Sequence, residues 1–200
     1  MKMIQYYFKS FCIACLILTG CNDNQFLEEN PKSIYTIENA FEKSSQVDAQ
    51  LTMCYIELYN WYVKTLDPWI SNMQLKSFGT DVLDYPFFRT NGSGYSNFGT
   101  WGTTSSYVSA MWNDLYQIVS YANLTIRGTE LEHITWADTE FKERLVAEAK
   151  FFKGLAYLRL GVLYGGVPIV DEYSDVLKFD YVRATRQETY QFAIDNLKAA

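Results

Sequence analysis

Apolar and polar positions along this chain alternate with a helical period in five places. A short helix is expected over Ile37 to Lys43, capped by Thr36 or a neighbour, and Ser45 with Asp48 three residues later reads as a capping-box-like start to a second. In that second stretch Val47, Leu51, Tyr55, Leu58 and Tyr62 recur at steps of three and four, the spacing of one helix face. A third helix is predicted from Tyr107 to Arg127, with Met111, Leu115, Ile118 or Val119, Ala122 and Ile126 on one side and Gly128 as its stop. A long fourth one starts at Thr135, with Asp138 three residues on. It carries Phe141, Leu145, Ala149, Phe152, Ala156 and Leu163 to a break at Gly165-Gly166 and Pro168. Thr185 and Glu188 form a capping box for a fifth, which bears Tyr190, Ile194 and Leu197 and is still running at Ala200. An amphipathic helix without a terminator at the last residue implies a chain that continues, so residues 36–200 are expected to be a truncated N-terminal part of a larger helical domain.

Two stretches depart from this period. Near the start, Lys2 and Lys9 precede an unbroken apolar run from Phe11 to Leu18, too short for the ~20 residues of a membrane-spanning helix and suited to the core of a secretory signal. Leu18-Thr19-Gly20-Cys21 follows at once and has the form of a bacterial lipobox, in which small residues admit the signal peptidase and the cysteine thiol takes the lipid. Residues 1–20 are then a leader, Cys21 is the lipidation site, and residues 21–35 are a polar tether that holds the rest at a membrane surface. Between Asp67 and Ser106 the helical period fails again. From Leu83 to Ser106 the chain is rich in Gly, Ser, Thr and Asn yet holds Tyr85, Phe87, Phe88, Tyr95, Phe98 and Trp101. Disordered segments are poor in aromatics, so a loop of this kind is expected either to pin itself onto the helices beneath or to present rings to a ligand.

Composition narrows the chemistry. Seventeen basic and 23 acidic side chains give a net charge of −6, and loss of the leader removes two lysines and no acid. A chain so acidic lacks the footprint that neutralises phosphates, which argues against nucleic acid as a partner. A single histidine, His133, leaves little for a zinc site or a Ser/His or Cys/His nucleophile. Cys12 and Cys15 have redox-pair spacing but fall in the leader, so a processed chain keeps only Cys54 besides the lipidated Cys21, and its core must hold without a disulfide. Glu148, Asp171 and Glu172 resemble a glycosidase pair only in composition, since acids on a helix and at its exit normally face water or pair with Lys and Arg. No cofactor or metal is implied, and Gly92-x-Gly94 lacks the third glycine and the strand-to-helix context of a dinucleotide fingerprint.

Several motifs converge on one family. The run from Ala147 to Tyr157 (AEAKFFKGLAY) and the following Leu163 to Val170 (LYGGVPIV) resemble the signature helix and turn of the SusD/RagB family of outer-membrane nutrient-binding lipoproteins. Trp112, Asn113, Tyr116, Ile118 and Ala122-Asn123 resemble a second family helix, and Arg186, Tyr190, Asp195, Leu197 and Ala200 a third. Pro31, the stretch from Glu38 to Phe41 and the lipobox fall in the same order. Lys153-Gly154 departs from the pattern, standing where the family usually has Arg-Ala.

The resemblance implies a mostly α protein of tetratricopeptide-like helical hairpins with a long irregular aromatic-rich loop, and no enzyme. It implies carriage of oligosaccharide or polysaccharide to a partner TonB-dependent, SusC-like outer-membrane transporter. The alternative is a helical-repeat scaffold that docks to the transporter without touching glycan. Within the loop, Asp81, Tyr85, Arg89, Asn91 and Trp101 are the residues expected to contact glycan. They are chosen because they combine stacking faces with hydroxyl partners, not by a motif match.

Overall fold

The computed structural model describes residues 37–63, 65–67, 70–71, 106–176 and 178–200. Helix α1 is Ile37–Ala40, α2 Ser44–Val63, α3 Ser106–Thr129, α4 Thr139–Tyr164 and α5 Arg186–Lys198. A small antiparallel ribbon, β1 (Thr65–Asp67) and β2 (Ile70–Ser71), follows α2. The long aromatic loop, with Asp81, Tyr85, Arg89, Asn91 and Trp101, lies outside the described residues, as do the leader, Cys21 and the tether.

Side-chain contacts fix how the four long helices run. Cys54 lies against the Ile118 carbonyl while Val47 meets Gly128, so α2 and α3 are antiparallel. The Tyr164 hydroxyl reaches the Val108 carbonyl at one end of the next pair and Lys153 reaches Asn123 near the other, so α3 and α4 are antiparallel too. Gly161 faces Tyr190 and Gly154 faces Leu197, which reverses the direction once more into α5. Between α2 and α4, Asp48 pairs with Arg144, Tyr55 with Glu148 and Tyr62 with Arg159, an order that makes these two helices parallel. Each helix packs chiefly on its sequence neighbours, with a thinner α2 to α4 contact. This is the tetratricopeptide-like arrangement of successive hairpins.

The core lies along these seams. Trp61, Tyr157, Phe152, Leu51, Leu115, Ile118, Leu145 and Leu160 are its largest fully buried side chains. On α2 the buried face is Val47, Leu51, Cys54 and Trp61 with Leu58 beside them, a stripe turned from the one that counts tyrosines as apolar. Tyr55 is 51% exposed because its hydroxyl donates to Glu148 Oε2 at 2.7 Å and its ring edge meets Phe152. Leu163, expected inside on α4, faces outward, while Tyr157 and Leu160 take the buried line.

Helix ends differ from expectation for identifiable reasons. Helix α1 stops at Ala40, and Phe41 beyond it is buried while its carbonyl accepts from His133 Nε2 at 2.7 Å. No box closes between Ser45 and Asp48. The Gln46 side chain instead accepts the Glu42 and Lys43 N–H groups at 2.7 and 2.8 Å, and Asp48 accepts from Arg144. Asp138, not Thr135, caps α4 by accepting the Phe141 N–H at 2.6 Å. Gly128 stays inside α3, buried where a Cβ would lie 3.1 Å from Val47 Cγ1, so it serves close packing and not termination. The Thr185/Glu188 box forms in both directions and opens α5, whose last residue is Lys198.

Glycines also explain how closely α5 sits on α4. A Cβ at Gly154 would lie 2.8 Å from Leu197 Cγ and 2.9 Å from the Ala193 carbonyl oxygen, and one at Gly161 would lie 2.7 Å from Tyr190 Cε1. The departure from Ala at position 154 is therefore matched to a tight helix crossing. Gly154→Ala is expected to destabilise by about 1–2 kcal/mol despite the ~1 kcal/mol better helix propensity of alanine, because helix backbone must move. Gly161→Ala is expected to come out near neutral, since the half-buried Tyr190 ring can turn aside. Paired urea unfolding curves check this, and equal costs at the two sites would contradict it.

Burial makes Cys54 inert. Its thiol has no exposure and desolvation pushes it up to about 12. The folded chain is expected to leave Cys54 unmodified by a water-soluble disulfide reagent at pH 8 and to react on unfolding. Rapid native labelling in a chain lacking Cys12, Cys15 and Cys21 would show that α2 opens.

Candidate functional site

The polar chemistry of the described residues gathers around the strap that joins α4 to α5, residues 165–184. Its entry is set by the two glycines. Gly165 has φ +77°, a conformation L side chains rarely adopt, and its N–H donates to Gly161 to end α4. At Gly166 a Cβ would collide with the Ala184 carbonyl, so the two ends of the strap touch here. Val167 and Ala184 exchange a main-chain bond, Pro168 bridges to Arg183, and the Arg183 guanidinium donates to the Tyr164 and Gly166 carbonyls.

Four buried or half-buried side chains then pin the strap to the helices. The Tyr116 hydroxyl donates to the Pro168 carbonyl at 2.6 Å, and the Tyr157 hydroxyl accepts the Val170 N–H at 2.6 Å while donating toward the same Pro168 carbonyl. Burial pushes both phenols well above their usual range, so both stay protonated donors at any physiological pH. Asn123 donates to the Val170 carbonyl at 2.9 Å. Lys153, its side chain 4% exposed, spends its three N–H bonds on Asn123 Oδ1, the Asp171 carbonyl and Asp171 Oδ1 at 3.1, 2.9 and 2.7 Å. The family-like motifs on α3 and α4 therefore converge physically, since Tyr116, Asn123, Lys153 and Tyr157 all hold one short segment.

Between the strap and the outer side of α3 lies a trough. One basin of about 330 Å³ is lined by Tyr116, Ser120, Asn123, Tyr173, Lys178 and Tyr181 among others. A second, of about 300 Å³, shares Asn123, Glu172 and Tyr173 with the first and adds Arg127, Glu130 and Asp171. The carboxylates singled out from sequence form no catalytic pair. Glu148 accepts from Arg144 Nη1 and the Tyr55 hydroxyl, whose proton it holds up to about 12, while Asp171 is committed to Lys153. Among the described residues no cluster of His, Cys, Asp and Glu is arranged to hold a metal ion. The glycan-contact residues expected from sequence lie outside the described residues. The Lys153 node and the trough were not anticipated, although a lysine on the Ala149, Ala156, Leu160 face of an apolar run marks a buried cation that needs partners.

Comparison with known proteins settles the family. Residues 25–200 match the SusD-like family, whose description is starch-binding associating with the outer membrane. The chain belongs to the SusD-like family. A SusD-like protein P2 of Formosa agariphila is 30% identical over 197 residues, covering 96% of this chain and 36% of that protein. The crystal structure of a SusD superfamily protein from Bacteroides vulgatus superposes with a TM-score of 0.68 at 19% identity, over 78% of this chain and 33% of the other. A SusD-like carbohydrate binding protein from Bacteroides fragilis superposes with a TM-score of 0.58 at 16% identity, over 80% and 31%. The two structures show that the SusD-like fold is shared, and this chain spans about a third of the length of these relatives.

Proposed function

We propose that this chain is the N-terminal part of a surface lipoprotein, anchored through Cys21 to the outer membrane, which captures oligosaccharide or polysaccharide and delivers it to a SusC-like TonB-dependent transporter. The observation that carries the reading is the family match over residues 25–200 with its starch-binding, outer-membrane description. Residues 1–20 act as the leader and 21–35 as the tether. Capture makes and breaks no bond. It works by shape, by ring faces against the C–H faces of sugars and by directed hydrogen bonds to hydroxyls. Asp81, Tyr85, Arg89, Asn91 and Trp101 are the loop residues we assign to glycan contact.

Isothermal titration of the full-length protein with soluble starch, maltoheptaose and a panel of other polysaccharides tests this. Saturable binding to one glycan, weakened about tenfold in Trp101→Ala, is the expected result, a change worth about 1.4 kcal/mol. No binding to any glycan overturns the capture role, and unchanged affinity in Trp101→Ala removes that ring from the site. A scaffold role draws support from the exposed apolar side chains Tyr59, Phe151 and Val162 on the parallel helices α2 and α4. It predicts co-purification with a transporter that survives loss of the loop aromatics.

A further inference from the structure

We propose that the trough between the strap and α3 is itself a carbohydrate-contacting site, separate from the aromatic loop, with Tyr173 and Tyr181 as its stacking faces. This rests on the carbohydrate-binding reading above and adds a location to it. The two basins share Asn123, Glu172 and Tyr173, so they form one elongated depression, suited to a chain of units and not to a single compact ligand. Each basin lies at the lower end of the range for small-molecule pockets.

Charge selects the ligand class. Around the trough Arg127, Lys153 and Lys178 are balanced by Glu130, Asp171 and Glu172, with Arg127 bonded to Glu130 and Lys153 to Asp171. With the buried Lys153 counted beside its partner Asp171, these charges sum to zero, which favours a neutral ligand over a phosphate, a carboxylate or a cation. What is left is a set of ring faces, a serine hydroxyl at Ser120 and the polar ends of Glu172 and Lys178, groups that suit a neutral polyhydroxyl ligand. Lys178 sits over the Tyr181 ring at 5.2 Å and helps hold it in place, while Tyr181 keeps 40% of its surface open.

The floor is preformed. Tyr116, Asn123, Tyr157 and Lys153 already fix residues 168–171, so a ligand finds the entry of the strap ordered and loses less freedom on binding.

The test uses the full-length protein titrated with soluble starch, maltoheptaose and the wider polysaccharide panel. Tyr173→Ala with Tyr181→Ala removes both rings, the first half-buried at the edge of the core and the second exposed. Ser120→Trp, on the exposed side of α3, fills the trough while leaving both tyrosines in place in the sequence. Ser120→Trp is expected to keep the wild-type unfolding midpoint and the double tyrosine variant to keep the helical circular dichroism of the wild type, both are expected to bind the glycan at least tenfold more weakly, and Trp101→Ala added to either is expected to weaken it further. Unchanged affinity in both trough variants while the wild type binds overturns the trough and leaves the capture role standing. Failure of the wild type to bind any glycan overturns both.

Discussion

Replacing Asp171 with alanine is expected to lower the unfolding free energy by about 3 kcal/mol, and Lys153→Met by about half as much. The inequality follows from which charge is left behind. Lys153 is buried and Asp171 is 60% exposed in its side chain. Removing the aspartate strands an ammonium in the interior with only two neutral oxygens, those of Asn123 and the Asp171 main chain. Losing an ion pair in this way carries the full cost of an uncompensated buried charge. Methionine at 153 keeps an apolar stem of similar length and lets the Asp171 carboxylate turn to water, so its main cost is one unsatisfied acceptor on Asn123. Asn123 still holds Val170 through its amide N–H. Urea midpoints for the two variants and the double variant check the argument. Equal losses, or a larger one for Lys153→Met, would mean the ammonium is not desolvated.

How legible this was from sequence depends on the kind of signal. Helix α5 could be read in advance because its cap is local: Thr185 and Glu188 satisfy each other within one turn, whatever packs above. The start of α4 misled because Thr135 and Asp138 are both capping residues, and the choice between them is made by Ile134 and Trp136, which are drawn toward the core and keep that stretch out of the helix. The phase of α2 misled because a tyrosine stripe and a Cys/Trp stripe run at the same period one position apart. Hydroxyl partners on α4, invisible in sequence, decided that Tyr55 and Tyr62 face outward. The same holds for Lys153. Its burial is a fact about three elements meeting, α3, α4 and the strap, and only the family-like run around it marked the position. The glycan-contact residues read from the loop fall outside the described helices, and the trough could not be seen in sequence because its walls come from residues far apart along the chain.

Gly166→Ala is expected to cost about 3 kcal/mol or more and Gly165→Ala about 1–2 kcal/mol, although both replace one glycine of the same pair with the same residue. Gly165 needs its glycine for the backbone: at φ +77° and ψ −124° alanine is strained, but the open side meets only the flexible Arg186 guanidinium, 3.5 Å away. Gly166 needs its glycine for space. A methyl group there runs into the Ala184 carbonyl and comes within 2.9 Å of the Thr185 carbonyl carbon and 3.0 Å of the Arg186 nitrogen. None of these can retreat cheaply. Thr185 is locked by the capping box, Ala184 donates to the Val167 carbonyl, and the Val167 N–H donates to the buried Thr189 hydroxyl. Relief therefore requires either breaking the box or lifting α5 from α4, and the second surrenders the Ala193, Leu197 and Tyr190 contacts on Gly154 and Gly161. Thermal unfolding orders the two variants, and limited proteolysis locates the damage. Cleavage in residues 178–185 that rises in Gly166→Ala but not in Gly165→Ala is the expected pattern. A wild-type digestion profile for Gly166→Ala would show that the strap ends can separate without undocking α5.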